Sequence, residues 1–192
     1  MVQGYAKGRA SREKILEAAN RAFAEHGYRG ASLAAIADSV GLSQPGLLHH
    51  FPSKEELLWE VLRLRHERDV ERVAAVTAER ASYLEGLVEL CRQNERSPGL
   101  VRLFTVLAAE AVDTDHPGNV HFRERYDELR GGVATALAEE QREGRIAPGL
   151  DVDLLALQVL ALFDGLQLQW LLDPDSVDMV AAFRDFVARL AP

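Results

Sequence analysis

Two adjacent histidines, His49 and His50, are the residues of this chain whose type and spacing first suggest chemistry. They belong to the stretch GLSQPGLLHHFPSKEELL, where the segment from Gly41 to Lys54 contains no cysteine or carboxylate. Neighbouring side chains on a helix diverge by roughly 100°, so the two imidazoles do not converge on one metal ion. We therefore expect His49 to point outward and His50 to be partly packed, and we do not favour a metal site.

Motifs of known catalytic sites do not occur elsewhere in the sequence. There is no HExxH metal motif, glycine-rich phosphate loop or G-x-S-x-G nucleophile elbow. Two further histidines, His116 and His121, have too few other metal-binding residues near them in the sequence to form a metal site. Cys91 is the only cysteine, which excludes an intramolecular disulfide. We expect a protein that is not an enzyme and that needs no cofactor or metal.

The charge of the chain is unevenly distributed. The net charge is −8, but residues 1–54 hold seven Lys/Arg and four Asp/Glu, a balance of +3, which leaves −11 for the remainder. A basic front end on an acidic body is expected when only the front end meets phosphate groups. A charge fluctuation without functional meaning is the alternative.

The elements that position these residues are predicted to be helices throughout. Apolar residues recur at three- and four-residue spacing, and the alternation of a strand is missing. Glycines at positions 27 and 41 are suited to ending the first and second helices. Four serines are placed as helix N-caps: Ser11, Ser32, Ser43 and Ser53.

Further along the chain we expect helices near residues 84–92, 97–111, 120–144, 152–172 and 177–190. The fourth of these is apolar on nearly every side, which a helix packed on one subunit alone does not require. Its polar residues Gln158, Asp164, Gln167 and Gln169 argue against a membrane span. Together with the last helix it fits a four-helix interface between two copies of the chain. The opening residues lack the apolar stretch of a secretory signal, so we expect a cytoplasmic protein.

A specific resemblance appears in residues 27–58, GYRGASLAAIADSVGLSQPGLLHHFPSKEELL. Two short helices joined by a tight glycine-containing turn are typical of a helix-turn-helix. The stretch resembles the DNA-binding domain of the TetR family of transcriptional regulators. The resemblance implies an all-α protein, with an N-terminal three-helix DNA-binding domain in residues 1–54. A long helix would join it to a helical ligand-binding and dimerisation domain in residues 55–192.

The resemblance also implies which residues contact DNA. Most of the positions that correspond to DNA contacts in the family would bind phosphates, and Gln44 could read an adenine edge. The sequence departs from the family where a phosphate-binding tyrosine is common, since Leu48 stands there, and where a threonine is common, since Ala31 stands there. In the recognition helix, Pro45 and Gly46 also stand where the family has residues with more functional side chains. The candidate DNA-binding residues are Ser32, Ser43, Gln44, Pro45, Gly46, Leu48, His49 and Lys54.

The family's larger half encloses a ligand cavity, and several aromatic and polar residues are candidates for its wall. For any one of them, an ordinary core position is the alternative. The candidates are Phe104, Leu107, Phe122, Tyr126, Phe163, Gln167 and Trp170. By resemblance, we expect a homodimeric repressor that a small-molecule effector releases from a palindromic double-stranded DNA operator. A helical scaffold protein whose helix-turn-helix is purely structural is the competing hypothesis.

Basic residues near the N-terminus could add phosphate or minor-groove contacts. A solvated tail over residues 1–8 is the alternative for this segment. The residues concerned are Lys7, Arg9, Arg12 and Lys14.

Overall fold

The computed structural model describes residues 2–80 and 82–192, with side chains from residue 10 onward except at residue 81, and the described part is helical without strands, as predicted. The predicted contacts of Lys7 and Arg9 lie outside the described side chains. The helices of the described residues are α1 (Val2–Gly30), α2 (Leu33–Ser39), α3 (Gln44–His50), α4 (Lys54–Arg80), α5 (Tyr83–Glu95), α6 (Pro98–Glu110), α7 (Asn119–Arg142), α8 (Val152–Leu172) and α9 (Met179–Ala188).

Three of the four predicted serine caps are confirmed. The hydroxyl oxygen of Ser32 accepts a hydrogen bond from the Ala35 amide at 3.4 Å. Ser43 and Ser53 do the same for the amides of the third residue after them, at 3.2 and 3.0 Å. The prediction for Ser11 was wrong, because α1 begins at Val2 and Ser11 lies within it. A serine can cap only where the helix starts, and the Ala, Lys and Arg residues before it favour helix.

At the predicted helix stop, Gly27, a kink separates two helical segments of α1. Gly27 has φ 69° and ψ 178°, a conformation that glycine adopts without steric cost, but helical structure resumes and continues to Gly30. The Ala31 amide still donates to the Gly27 carbonyl, at 3.2 Å. At Gly41, by contrast, φ is 73° and the chain leaves α2 for the turn that precedes α3. Both glycines therefore interrupt the helix where the sequence predicted, Gly27 between the two helical segments of α1 and Gly41 after α2.

The chain divides into two compact units, Met1–Arg68 and Asp69–Pro192. The division falls inside α4, and the domain boundary expected after residue 54 stays a prediction. The first unit is built on an apolar core in which α1, α2, α3 and the first turns of α4 contribute fully buried side chains. They include Ile15, Phe23, Ile36, Leu47, Phe51, Leu57 and Leu58.

In the second unit, α8 packs against α6, α7 and α9. A close approach between α4 and α5 also lies in this unit. A Cβ atom placed on Gly86 would come within 2.9 Å of the Val73 carbonyl oxygen, which is closer than real Cβ atoms come. Glycine at position 86 therefore lets α5 lie directly against the backbone of α4.

A buried carboxylate fixes the start of α5. Glu140 on α7 is 1% exposed and accepts hydrogen bonds from the Tyr83 amide at 2.6 Å and from the Ser82 hydroxyl at 3.4 Å. Arg145 neutralises its charge through an Nε hydrogen bond of 2.9 Å. A carboxylate at a helix N-terminus is favoured by the exposed amides there, and pairing removes most of the penalty of burial.

Helix α8 has the bounds that the sequence predicted. Asp151 caps it by accepting hydrogen bonds from the amides of Asp153 and Leu154, both at 3.1 Å. By length and composition alone it is the helix, among the residues described, that could cross a membrane. Its buried positions form part of the second unit's core, while leucines of another face remain exposed.

Candidate functional site

The recognition helix α3 presents one face to the core and another to the surface. Leu47 and the C-capping residue Phe51 are fully buried. His49 is exposed and His50 is half-buried, with the two rings edge to face and their centroids 5.9 Å apart. Both positions agree with the expected geometry of the pair. The histidines thus share a helix end but not a direction.

The N-terminal half of α3 carries the other candidate DNA-binding residues. Ser43, Gln44 and Pro45 are exposed, and Gly46 and Leu48 are half-buried. A Cβ on Gly46 would lie 3.3 Å from the Ser43 hydroxyl oxygen, so glycine leaves room for the capping bond. Ser32 is exposed at the start of α2. These side chains and the early amides of the two helices are suited to phosphate binding.

Lys54 opens α4 and is held close to the end of α1. Its Nζ donates a hydrogen bond to the Arg29 carbonyl at 3.3 Å and lies 4.9 Å from the centre of the Tyr28 ring. Burial lowers the pKa of Lys54 and raises the pKa of Tyr28, whose phenol also lies near the Glu55 carboxylate. The ammonium group is therefore positioned in advance, and no pattern in the sequence indicated the tyrosine that positions it.

Arg12 holds the far end of α3 in place. Its guanidinium donates to the His50 carbonyl at 2.9 Å and lies 4.1 Å from the centre of the Phe51 ring. A second guanidinium nitrogen is 3.3 Å from the Glu60 carboxylate on α4. The sequence suggested Arg12 as an additional phosphate contact. In the structure its guanidinium instead joins α1 to α3 and α4. Lys14, in contrast, is exposed.

The candidate ligand-binding residues of the second unit fall into separate contacts. The rings of Phe104 on α6 and Phe122 on α7 are 5.3 Å apart, and the Arg125 guanidinium lies 5.0 Å from the Phe104 ring centre. Leu107, one turn further along α6, is buried. On α8, the Phe163 ring instead meets Phe183 of α9, with centroids 5.6 Å apart.

A polar contact joins α7 to α8. The Tyr126 hydroxyl donates a 2.6 Å hydrogen bond to Oδ2 of Asp164. Burial raises the pKa of Asp164, and the bond from Tyr126 and the charge of Arg125 partly offset this effect. Burial and the neighbouring carboxylate raise the pKa of Tyr126. Sequence reasoning assigned no site role to Asp164, although its place among apolar residues was a signal for an internal carboxylate.

Gln167 and Trp170 follow Asp164 on α8 and are both buried, at 7% and 8% exposure. Trp170 belongs to the apolar core of the unit.

Comparison with known proteins assigns both parts of the chain to one family. The model of bacterial regulatory proteins of the tetR family matches residues 15–61, and that of the BetI-type transcriptional repressor C-terminal domain matches residues 79–192. The HTH-type transcriptional repressor AcnR of Corynebacterium diphtheriae is 32% identical over 162 residues, which cover 80% of this chain and 77% of that protein. The HTH-type transcriptional regulator TtgR of Pseudomonas putida is 29% identical over 184 residues, 92% of this chain and 88% of that protein.

A solved structure extends the likeness over almost the whole chain. A transcriptional regulator from Saccharomonospora viridis, determined in complex with choline, is 29% identical and superposes with a TM-score of 0.76. The match covers 94% of this chain and 96% of that one. These relationships do not favour the alternative of a helical scaffold without DNA specificity. The chain is a DNA-binding transcriptional regulator, and it belongs to the TetR family of bacterial regulatory proteins.

Proposed function

We propose that the protein is a cytoplasmic homodimeric repressor, which binds a palindromic operator and leaves it when a small-molecule effector binds. The observation that carries the DNA-binding part is the arrangement of α3. Buried Leu47 and Phe51 anchor this helix, and exposed Gln44 and His49 are available to a duplex. A short helix anchored in this way is suited to the major groove.

The proposed contacts divide by chemistry. Ser32, Ser43 and the early amides of α2 and α3 bind phosphates, as does Lys54. Gln44 reads an adenine edge, since its amide can both donate and accept there. Leu48 is half-buried and has no polar group, so it meets a thymine methyl group. His49, Pro45 and Gly46 line the same short helix.

An exposed apolar stripe on α8 supports a dimer. Four leucines of this helix are between 47% and 78% exposed. Their positions fall within about 60° of one another around a helix of 3.6 residues per turn. Leucines exposed on one side of a helix mark an interaction surface, and a two-fold axis buries the same side of both copies. The four residues are Leu154, Leu157, Leu168 and Leu172.

A dimer makes the form of the operator predictable. Two recognition helices that enter successive major grooves on one face of the duplex lie about 34–36 Å apart, and the two half-sites are related by the symmetry of the protein. Effector release requires that the ligand bind the DNA-free state more tightly than the DNA-bound state. The choline complex of the related regulator supports a small organic molecule as the effector. No catalytic step is needed.

Selection from random DNA tests this function directly. The purified protein is incubated with random duplexes of about 30 base pairs at near-physiological salt, and the retained DNA is sequenced over several rounds. We expect a palindrome to be enriched, and its affinity to fall with rising salt by about 0.9 logarithmic units per phosphate contact. A folded dimer that enriches no sequence would contradict the proposal.

A further inference from the structure

The last turn of α1 contacts the lysine that begins α4. Gly27, with φ 69° and ψ 178°, separates this turn from the rest of α1, and the turn carries both Tyr28 and Arg29. The Lys54 Nζ lies 4.9 Å from the centre of the Tyr28 ring and donates to the Arg29 carbonyl at 3.3 Å. A cation within about 6 Å of a ring centre is attracted to the ring face. One short segment therefore holds the ammonium group through two contacts.

The Tyr28 ring is itself anchored. Its centre lies 6.2 Å from that of the Phe23 ring, which is fully buried in the core of the first unit. Tyr28 and Lys54 are both half-buried. A lysine side chain has much rotamer freedom to lose when it binds a ligand. The ring and the carbonyl already restrict Lys54 in the free protein, so less of this freedom is lost when a phosphate binds.

The two contacts leave the charge of Lys54 available to an anion. An ammonium group has three N–H donors, and the bond to the Arg29 carbonyl uses one of them. A ring face and a carbonyl oxygen carry only partial negative charge, so they orient the ammonium group without neutralising it. Arg12 differs in this respect, because its guanidinium lies 3.3 Å from the Glu60 carboxylate. Lys54 is therefore both oriented and able to bind a phosphate.

We propose that Tyr28 is a positioning residue for DNA binding, whose ring face holds Lys54 in the conformation that meets a backbone phosphate. The proposal rests on the phosphate contact of Lys54 in the proposed function. Phosphate contacts carry no sequence information of their own. The contribution of Tyr28 is therefore made through the lysine and is the same for every duplex.

A labelled DNA pool tests this with the full chain. Fluorescence anisotropy measures the binding of random duplexes of about 30 base pairs at about 50 mM salt, where phosphate contacts dominate the affinity. We expect Tyr28→Leu to weaken binding about threefold or more, because the aromatic face is lost. Tyr28→Phe keeps that face and should bind within about twofold of the wild type. Lys54→Ala should weaken binding about threefold or more and lower the salt slope by about one unit.

A double-mutant cycle shows whether the ring acts through the lysine. In the Lys54→Ala background, Tyr28→Leu should cause no further loss of affinity. In the background of Lys14→Ala, an exposed lysine of α1, the same substitution should keep its full effect. Thermal melting establishes that each variant is folded. Tyr28→Met, which also lacks a ring, takes the place of Tyr28→Leu in the cycle if the leucine variant does not fold.

Three outcomes overturn the assignment of Tyr28. They are wild-type or tighter binding by folded Tyr28→Leu, an equal loss in Tyr28→Phe, and an undiminished effect of Tyr28→Leu in the Lys54→Ala background. Wild-type binding by Lys54→Ala contradicts the phosphate contact in the proposed function and this inference with it. A loss in Lys54→Ala without one in Tyr28→Leu contradicts the inference alone. Because the probe is a pool of sequences, a failed operator selection leaves this measurement intact.

Discussion

The two units of this protein place their functional groups differently. In the first unit the candidate DNA contacts, such as Gln44 and His49, are exposed on a helix that buried apolar residues anchor. In the second unit the candidate ligand contacts Gln167 and Trp170 are buried, and Asp164 on the same helix is half-buried. A DNA duplex is recognised on a surface, whereas a small ligand must be surrounded. Function and stability should therefore be separable in the first unit and coupled in the second.

Removing an anchor of the recognition helix should have the largest effect. Phe51 is fully buried and carries the Arg12 guanidinium on its ring. Phe51→Ala should lower the free energy of unfolding by about 3–5 kcal/mol, because it leaves a cavity, and operator binding should be lost with it. His49→Ala, at an exposed neighbour, should change stability by less than about 0.5 kcal/mol. Urea denaturation measures both, and equal losses would refute the proposed separation.

Breaking the α7–α8 contact tests the coupling in the second unit. Tyr126→Phe leaves the half-buried Asp164 without its donor and should lower the free energy of unfolding by about 1–3 kcal/mol. Adding Asp164→Asn removes the charge that needs compensation, so the double variant should recover part of this loss. A double-mutant cycle by thermal melting measures the recovery, and purely additive losses would show that the two residues act independently.

The close approach of α5 to α4 offers a matched pair of glycines. Gly86→Ala places a methyl group 2.9 Å from the Val73 carbonyl oxygen and should cost about 1–3 kcal/mol. Gly131→Ala, inside α7 with nothing within 4 Å of the added atom, should stabilise the protein by up to about 1 kcal/mol. Opposite shifts in melting temperature are expected, and a stabilising Gly86→Ala would contradict the described packing.

The DNA contacts should change binding without changing stability. Gln44→Ala should cost about 1–3 kcal/mol of discrimination at one base position. Lys54→Ala should weaken binding to all sequences and lower the salt slope by about one unit. Affinities for the selected operator and its single-base variants, measured at several salt concentrations, separate these outcomes. Loss of all sequence preference in Lys54→Ala would show that this lysine does more than bind phosphate.

The smallest effect concerns the single thiol. Burial raises the pKa of Cys91 from 9.0 to about 12. Near pH 7, well below both pKa values, the thiol is neutral in both states. As the pH rises toward 12, only the unfolded chain ionises, so stability should fall, by about 1 kcal/mol at pH 10. Cys91→Ala should flatten this part of the pH profile of urea denaturation. An identical profile in the variant would exclude the thiol as the cause.

The sequence by itself determined the helical fold and most helix starts. Ser32, Ser43 and Ser53 cap their helices through amides three residues away, and Asp151 caps α8 in the same manner. Such bonds depend on local residue types, so a pattern of a few residues is enough to predict them. The outward direction of His49 and the burial of Leu47 follow from helical periodicity in the same way.

Tertiary structure decided which distant residues meet. Arg12 reaches the His50 carbonyl across 38 positions, Tyr126 reaches Asp164 across another 38, and Glu140 reaches the Tyr83 amide across 57. No local pattern marks such pairs, because each depends on how whole helices pack. Arg12 therefore changed from a suggested DNA contact to a helix anchor, and Asp164 became the hydrogen-bond acceptor of Tyr126. The separate contacts of Phe104 and Phe163 likewise followed from the packing of α6, α7, α8 and α9, which spacing along the chain did not contain.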